Sequence, residues 1–393
     1  MSVAEYLNSM KEIQELLLQY IEDTEEYYLP NFERLKFLFD ELKIHEDQIQ
    51  LKSILHLILF ISNNHNRPPK FFPRIEQILS LFTKEMKEYF TNLEIFDIFK
   101  SNKPILLFLI KNQILTIDQQ LADLLIGDKF IELKYSEFFA PEIEPFFGQQ
   151  EQTDNFEEKR KIGENDSHIC EMIRNDSINE FITFTSRSNY RLSSKIPESN
   201  FETNPFLLKQ ENTTLIEYAA FFGSIQVFNY LKMNKVPLKP SLWIYAIHSN
   251  NPDMIHLLDQ NKVRPLNDKF DECLKEAIKC HHNDIVNYIR DNLLDENYIK
   301  EPKKVKKNQN ESNDLFEEEE EEFIEDKNDS LFIKESLKYY NFHCIQENSI
   351  NESSFYDLCR YDHYEFVQFL LNIPGFNPNI ILILKYYFFS FSF

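Results

Sequence analysis

Metal-binding side chains gather at one place in the 393-residue sequence, Cys280-His281-His282, with Cys273 seven residues upstream. Thiolate and imidazole are the usual zinc ligands, but a zinc site takes ligand pairs at set spacings, and no second Cys/His pair stands at one. Adjacent histidines on a helix turn also point in different directions. The residues therefore read as turn positions beside a buried thiol, and no metal is expected. Ten histidines and 65 Asp and Glu would permit acid–base work, yet neither GxSxG, HExxH nor a comparable nucleophile setting is present. No catalytic residue is expected, and the single Trp243 reads as core rather than as part of a ligand cage.

Composition narrows the chemistry further. Five glycines (Gly127, Gly148, Gly163, Gly223, Gly375) stand where average usage would place about 27. Phosphate-cradling loops need several glycines within a few residues, so that backbone N–H groups can approach the ligand. The closest pair here is 15 residues apart, and no nucleotide cofactor is expected. The net charge of −23 argues against nucleic acid as a partner. Five cysteines without a CxxC pair read as reduced, buried thiols. The acidic, amphipathic start differs from a signal peptide, so an intracellular protein, cytoplasmic or nuclear, is expected. Apolar runs such as Ile54–Ile61 fall well short of the ~20 residues a membrane span needs.

Four segments superpose: TLIEYAAFFGSIQVFNYL from Thr214, SLWIYAIHSNNPDMIHLL from Ser241, ECLKEAIKCHHNDIVNYI from Glu272 and SFYDLCRYDHYEFVQFLL from Ser353 taken with its doubled serine. Three onsets are Ser or Thr, suited to cap a helix. Apolar anchors follow at Ile216, Trp243, Leu274 and Phe355, then Ala219, Ala246, Ala277 and Leu358 where two helices approach closely. Gly223, Asn250, His281 and Asp362 mark a turn, and Asn251-Pro252 reads as a cap with proline at the first helical position. Apolar pairs beyond the turn (Val227/Phe228, Met254/Ile255, Ile285/Val286, Phe366/Val367) recur one helical turn later and make one buried face. Each unit is a helical hairpin too small to bury that face alone, so neighbours must stack.

These residues resemble the ankyrin repeat, and more closely a divergent ankyrin-like family of unknown function abundant in protists. Ala219-Ala220…Gly223 matches the Ala-Ala-x-x-Gly of that repeat, while Glu217, Ile244, Lys275 and Tyr356 stand where its histidine would be. Onsets lie 27, 31 and 81 residues apart, and SLFIKESLKYYN within the last gap reads as a decayed copy. Further degenerate copies are read at 92–110 and 165–182. The resemblance implies an all-α, ankyrin-like helical-hairpin solenoid with inter-repeat loops along one edge, where such arrays commonly grip partners.

Around that array the periodicity predicts helices over 1–28, 32–43, 48–61 and 74–90, with shorter pieces at 93–99, 104–112 and 118–126. The organisation expected is an N-terminal helical region (1–135), a linker or long loop (136–165) and ankyrin-like repeats (166–300), with an irregular passage at 186–212. An acidic disordered insert (301–330), a C-terminal repeat or repeats (331–379) and an apolar tail (380–393) follow. The insert holds twelve Asp and Glu against five Lys. The functional expectation is a non-catalytic protein-binding scaffold or adaptor. Its candidate contacts are Lys232, Lys235, Lys239, Lys262, Arg264 and Lys269, in the loops at 232–239 and 261–269. This basic edge would receive an acidic partner segment, or the chain's own 317–322 tract. The alternative is a membrane-associated binding protein held by the apolar tail.

Overall fold

The computed structural model describes residues 2–22, 28–127, 134–148, 154–294 and 327–376, with side chains of 28 and 327–330 left aside. Within the described residues the regular structure is 23 α-helices, four short 3₁₀ helices and an isolated bridge between Lys195 and Thr214. The tail at 380–393 and most of the acidic insert, 301–326, lie outside them; the insert's last four residues open a helix. No described helix is long and apolar enough to cross a membrane.

The N-terminal helices form because each carries an apolar stripe. Helix α1 (Val3–Glu22) buries Leu7, Met10, Ile13, Leu17 and Ile21, and α2 (Tyr28–Glu41) packs along it. The second helix, expected from 32, starts earlier, at Tyr28, because Pro30 sits in its first turn, where no intrahelical donor is needed. Helix α3 (Gln48–Asn64) opens on Asp47, whose side chain accepts from the N–H of Ile49 and Gln50. It runs past Ile61 to Asn64, and there Ser62 and Asn64 bond back to the carbonyls of Ile58 and Phe60. The helix expected over 74–90 is two, α4 (Phe71–Ser80) and α5 (Thr83–Tyr89), hinged at Leu81–Phe82 where Phe82 is buried. Helices α6 (Asn92–Phe99), α7 (Lys103–Lys111) and α8 (Gln119–Leu125) follow the expected pieces closely.

Residues 136–165, expected as a linker, are largely helical: α9 (Tyr135–Phe138), α10 (Ala140–Phe147) and α11 (Phe156–Ile162). Glu144, Pro145, Asp154, Glu157 and Glu158 of this passage are exposed while Phe138, Phe139 and Ile143 are fully buried. Arg160, also buried, binds Glu142 at 2.6 Å and the carbonyl of Phe138 at 3.1 Å. The passage at 186–212 is irregular as expected, apart from the single turn α14 (Pro205–Leu208) capped by Asn204.

All four superposed segments are helical hairpins: α15/α16 (Leu215–Phe221, Ile225–Met233), α17/α18 (Leu242–His248, Pro252–Gln260), α19/α20 (Asp271–Lys279, Asn283–Asn292) and α22/α23 (Phe355–Arg360, Tyr364–Leu371). The degenerate copy at 165–182 is another, α12/α13 (His168–Arg174, Ile178–Arg187). Between the third and fourth superposed hairpins, α21 (Lys327–Lys338) turns into a short 3₁₀ segment, Phe342–Cys344, in place of a second helix. The first helices pack in series, α12 on α15, α17, α19, α21 and α22. The anchors, the small residues and the first member of each apolar pair are buried.

A repeated hydrogen bond ties the layers. The turn residue has positive φ in every unit: Asp176, Gly223, Asn250, His281, Tyr340 and Asp362. The side chain after it reaches the preceding layer: Ser224 to the Ile173 carbonyl (2.6 Å), His282 to Ile247 (2.7 Å), Asn341 to Ile278 (3.0 Å), His363 to Leu337 (2.7 Å). This bond marks the α21 unit as a layer of the same kind. Helix onsets behave less uniformly. Thr214 closes on Glu217, but Ser241 does not cap α17 and donates instead to Glu217 of the layer before, at 2.7 Å.

Two apolar cores result. One joins Ile169 to Ile289; the other joins α1–α10 to residues of 337–370. The C-terminal hairpin thus shares its core with the N-terminal helices. Those helices also lie across the turn side of the stack, where Glu22 binds Asn250 (3.2 Å), Gln14 binds His281 (3.0 Å) and Asn341 (2.9 Å), and Lys52 binds Asp362 (2.9 Å).

Candidate functional site

Opposite the turns, the stack carries the inter-hairpin loops. Helices α16 and α18 end in the same way. Asn234-Lys235-Val236 and Asn261-Lys262-Val263 each place lysine at positive φ (61° and 54°), and the valine N–H bonds back to Leu231 and Leu258. The valine is buried in both, so the lysine is pushed to the tip. Trp243 anchors the second loop from below, its Nε1 donating to the Val263 carbonyl at 2.8 Å while its ring meets Phe270 edge-on at 4.9 Å.

Of the six predicted contacts, Lys235, Lys239, Lys262 and Lys269 are exposed and Lys232 is half-buried; none of these five has an ion-pair partner among the described residues. Arg264 differs. Its guanidinium is engaged by Asp259 at 2.6 Å and Asp268 at 3.8 Å, so it shapes the loop rather than standing free. Sequence reasoning missed the apolar part of the edge: Met233 is 79% and Leu266 74% exposed, the highest values among the large exposed hydrophobics. Helical periodicity gave no sign of them, since both lie at or beyond helix ends.

The buried side chains make a second concentration of chemistry. His248 Nε2 meets Glu276 at 2.8 Å, and Cys280 Sγ lies 3.5 Å from His248 Nδ1 and 3.9 Å from Nε2. These three donors lie within 4.8 Å of one another and are the ones able to approach a single metal ion. Cys273 is not among them, and His281 and His282 turn away, to Gln14 and to the Ile247 carbonyl. Glu276 and Cys280, one helical turn apart with His248 on the preceding first helix, were legible as a triad only once the layers were aligned. The donors are already engaged. The same Glu276 oxygen accepts Lys279 Nζ at 2.6 Å. Burial alone would raise the Glu276 carboxyl, but His248 and Lys279 hold it down to about 2, while burial pushes His248 below its ordinary value against the pull of Glu276 and lifts the Cys280 thiol well above its own. The Glu276 carboxylate is thus paired with Lys279, and the His248 ring packs against Phe206 and Phe221.

Near the junction of the N-terminal helices with segment 163–204, Arg67 binds Glu164 (3.1 Å) and Thr203 (2.9 Å), and Lys103 donates to the Glu202 carbonyl (3.0 Å). Burial, then the charge of Glu164, pushes Glu202 up to about 7, and burial pushes Lys103 down to about 7. Cys359 departs from the buried-thiol expectation, being exposed while the other four cysteines are buried. Comparison with protein-family models, curated proteins and solved structures finds no match.

Proposed function

We propose that this chain is a non-catalytic binding scaffold, an ankyrin-like stack of helical hairpins that grips another protein along the loops at 232–239 and 261–269. The observation that carries the reading is the asymmetry of the stack. Four of its six turns are met by the chain's own N-terminal helices, whereas the loop side presents five lysines without an ion-pair partner among the described residues, beside two exposed apolar side chains. Unpaired lysines on a chain of net charge −23 favour an acidic segment. Met233 and Leu266 supply the desolvated contact that surface charge alone does not. Rigid helices set the spacing and the loops set the specificity.

Charge reversal tests this. Proximity labelling in the native cell would compare the natural chain with Lys235→Glu, Lys239→Glu, Lys262→Glu and Lys269→Glu combined. Loss of a defined subset of neighbours supports the reading; an unchanged set removes it.

A further inference from the structure

The basic edge has a candidate occupant within the chain, and the topology shows why. Loops 234–241 and 261–270 each leave the end of a second helix and return to the start of the next first helix. The third loop of the series leaves α20 at Leu294, whose N–H bonds to the Ile289 carbonyl just as Val236 and Val263 bond back, and returns at Lys327, the start of α21. Both ends of residues 295–326 are therefore fixed to the lysine edge, one layer from the 261–269 loop. That stretch contains Leu315-Phe316, six glutamates at 317–322, and Phe323-Ile324.

We propose that residues 315–326 occupy this edge in the same molecule, with the glutamates on Lys235, Lys239, Lys262 and Lys269 and the flanking apolar residues against Met233 and Leu266. The inference rests on the binding reading above and names its first occupant. Layers of packed helices are roughly 8–10 Å apart, so two layers lie within about 20 Å. The 22 residues between Leu294 and Glu317 span up to roughly 75 Å when extended, and the shorter tether, five steps from Glu322 to Lys327, up to roughly 17 Å, with Glu317 up to roughly 33 Å from it, so contact is within reach from both ends. Charge and apolar pattern match on both sides. Because contact is intramolecular, an external acidic partner must compete with it.

Two measurements on the full chain test the proposal. A carbodiimide joins lysine amines to carboxylates that touch; peptide mapping should find Glu317–Glu322 coupled to Lys235, Lys239, Lys262 or Lys269, independent of protein concentration and suppressed by high salt. Coupling confined to Lys303–Lys307, or appearing only between two molecules as concentration rises, overturns it. Next, a labelled synthetic peptide of sequence 315–326 is titrated into the natural chain and into a chain with all six glutamates changed to glutamine. Release of the internal competitor should tighten peptide binding by about tenfold or more, and Lys235→Glu with Lys262→Glu should abolish it. Equal affinity for both chains sinks self-occupancy and leaves the edge as a binding surface. No binding to either chain sinks the binding reading as well.

Discussion

Acid should weaken this fold before most of its carboxylates titrate. His281 and His363 are buried and His56 is half-buried, and loss of solvent pushes them down to about 3, 4 and 4 from an ordinary 6.5, so all three are neutral. A histidine with a depressed folded pKa stays neutral in the fold while the unfolded chain takes up a proton, so stability falls as pH drops below 6.5 and levels off at the folded value. Between pH 6.5 and 5 each group contributes a loss of about 2 kcal/mol at 1.36 kcal/mol per unit, about 6 for the three. Glu202 works the other way. Raised to about 7 from 4.5, it binds a proton in the fold first and returns about 2 kcal/mol over the same range. A net loss of about 4 kcal/mol is a large share of a typical stability of 5–15. His248 and His282, both shifted down, act in the same direction, and Glu276, held at about 2, does not contribute until below pH 4.5. Urea denaturation followed by far-ultraviolet circular dichroism at pH 7, 6 and 5 measures this, and His281→Asn, which suits the positive φ, should flatten the slope. A midpoint that stays constant or rises towards pH 5 would refute the reasoning.

Three further outcomes follow from the packing. Gly223→Ala forces a side chain into φ +65°, with its Cβ 3.0–3.1 Å from Asn251 of the next layer; a cost of about 1–2 kcal/mol is expected in thermal melts, and a stabilised variant would contradict the layer contact. Lys235→Gly and Lys262→Gly should each raise stability by up to about 1 kcal/mol by relieving positive φ, while weakening whatever the edge binds; a lower melting midpoint would count against the loop geometry. Trp243→Ala removes a fully buried ring and the bond to Val263, so a loss of about 3–5 kcal/mol is expected, with amide exchange in 261–269 accelerated; exchange no faster than in the parent would show that the loop is held otherwise.

Much of the hairpin array was legible because its signals are local. An apolar pair at i and i+1, an alanine three residues after an anchor and a small or polar residue at the reversal are all short-range features, and Asn250, His281 and Asp362 take the positive φ their positions implied. Tertiary contacts decided what was misread. Ser241 has the residue type of a helix cap, yet the carboxylate of Glu217 in the preceding layer claims its hydroxyl. Residues 136–165 look polar when counted, but three buried side chains, Phe138, Phe139 and Ile143, suffice to seat the passage on the N-terminal core. Periodicity within a segment also says nothing about which core that segment joins, so the union of the C-terminal hairpin with the N-terminal helices left no mark in the sequence. The exposed Met233 and Leu266 and the buried His248–Glu276 pair were illegible for the same reason: each acquires meaning only from the layer beside it.

Sharing a core between residues near 10–143 and residues near 337–370 has a kinetic consequence. A simple row of hairpins matures layer by layer behind the ribosome, each new unit finding its neighbour already made. Here the first-made helices lack part of their cover until about 190 further residues have been translated, roughly 10–40 s at 5–20 residues per second. The ribosome-bound nascent chain should accordingly show prolonged protease sensitivity in its earliest segment, ending abruptly once the last hairpin emerges.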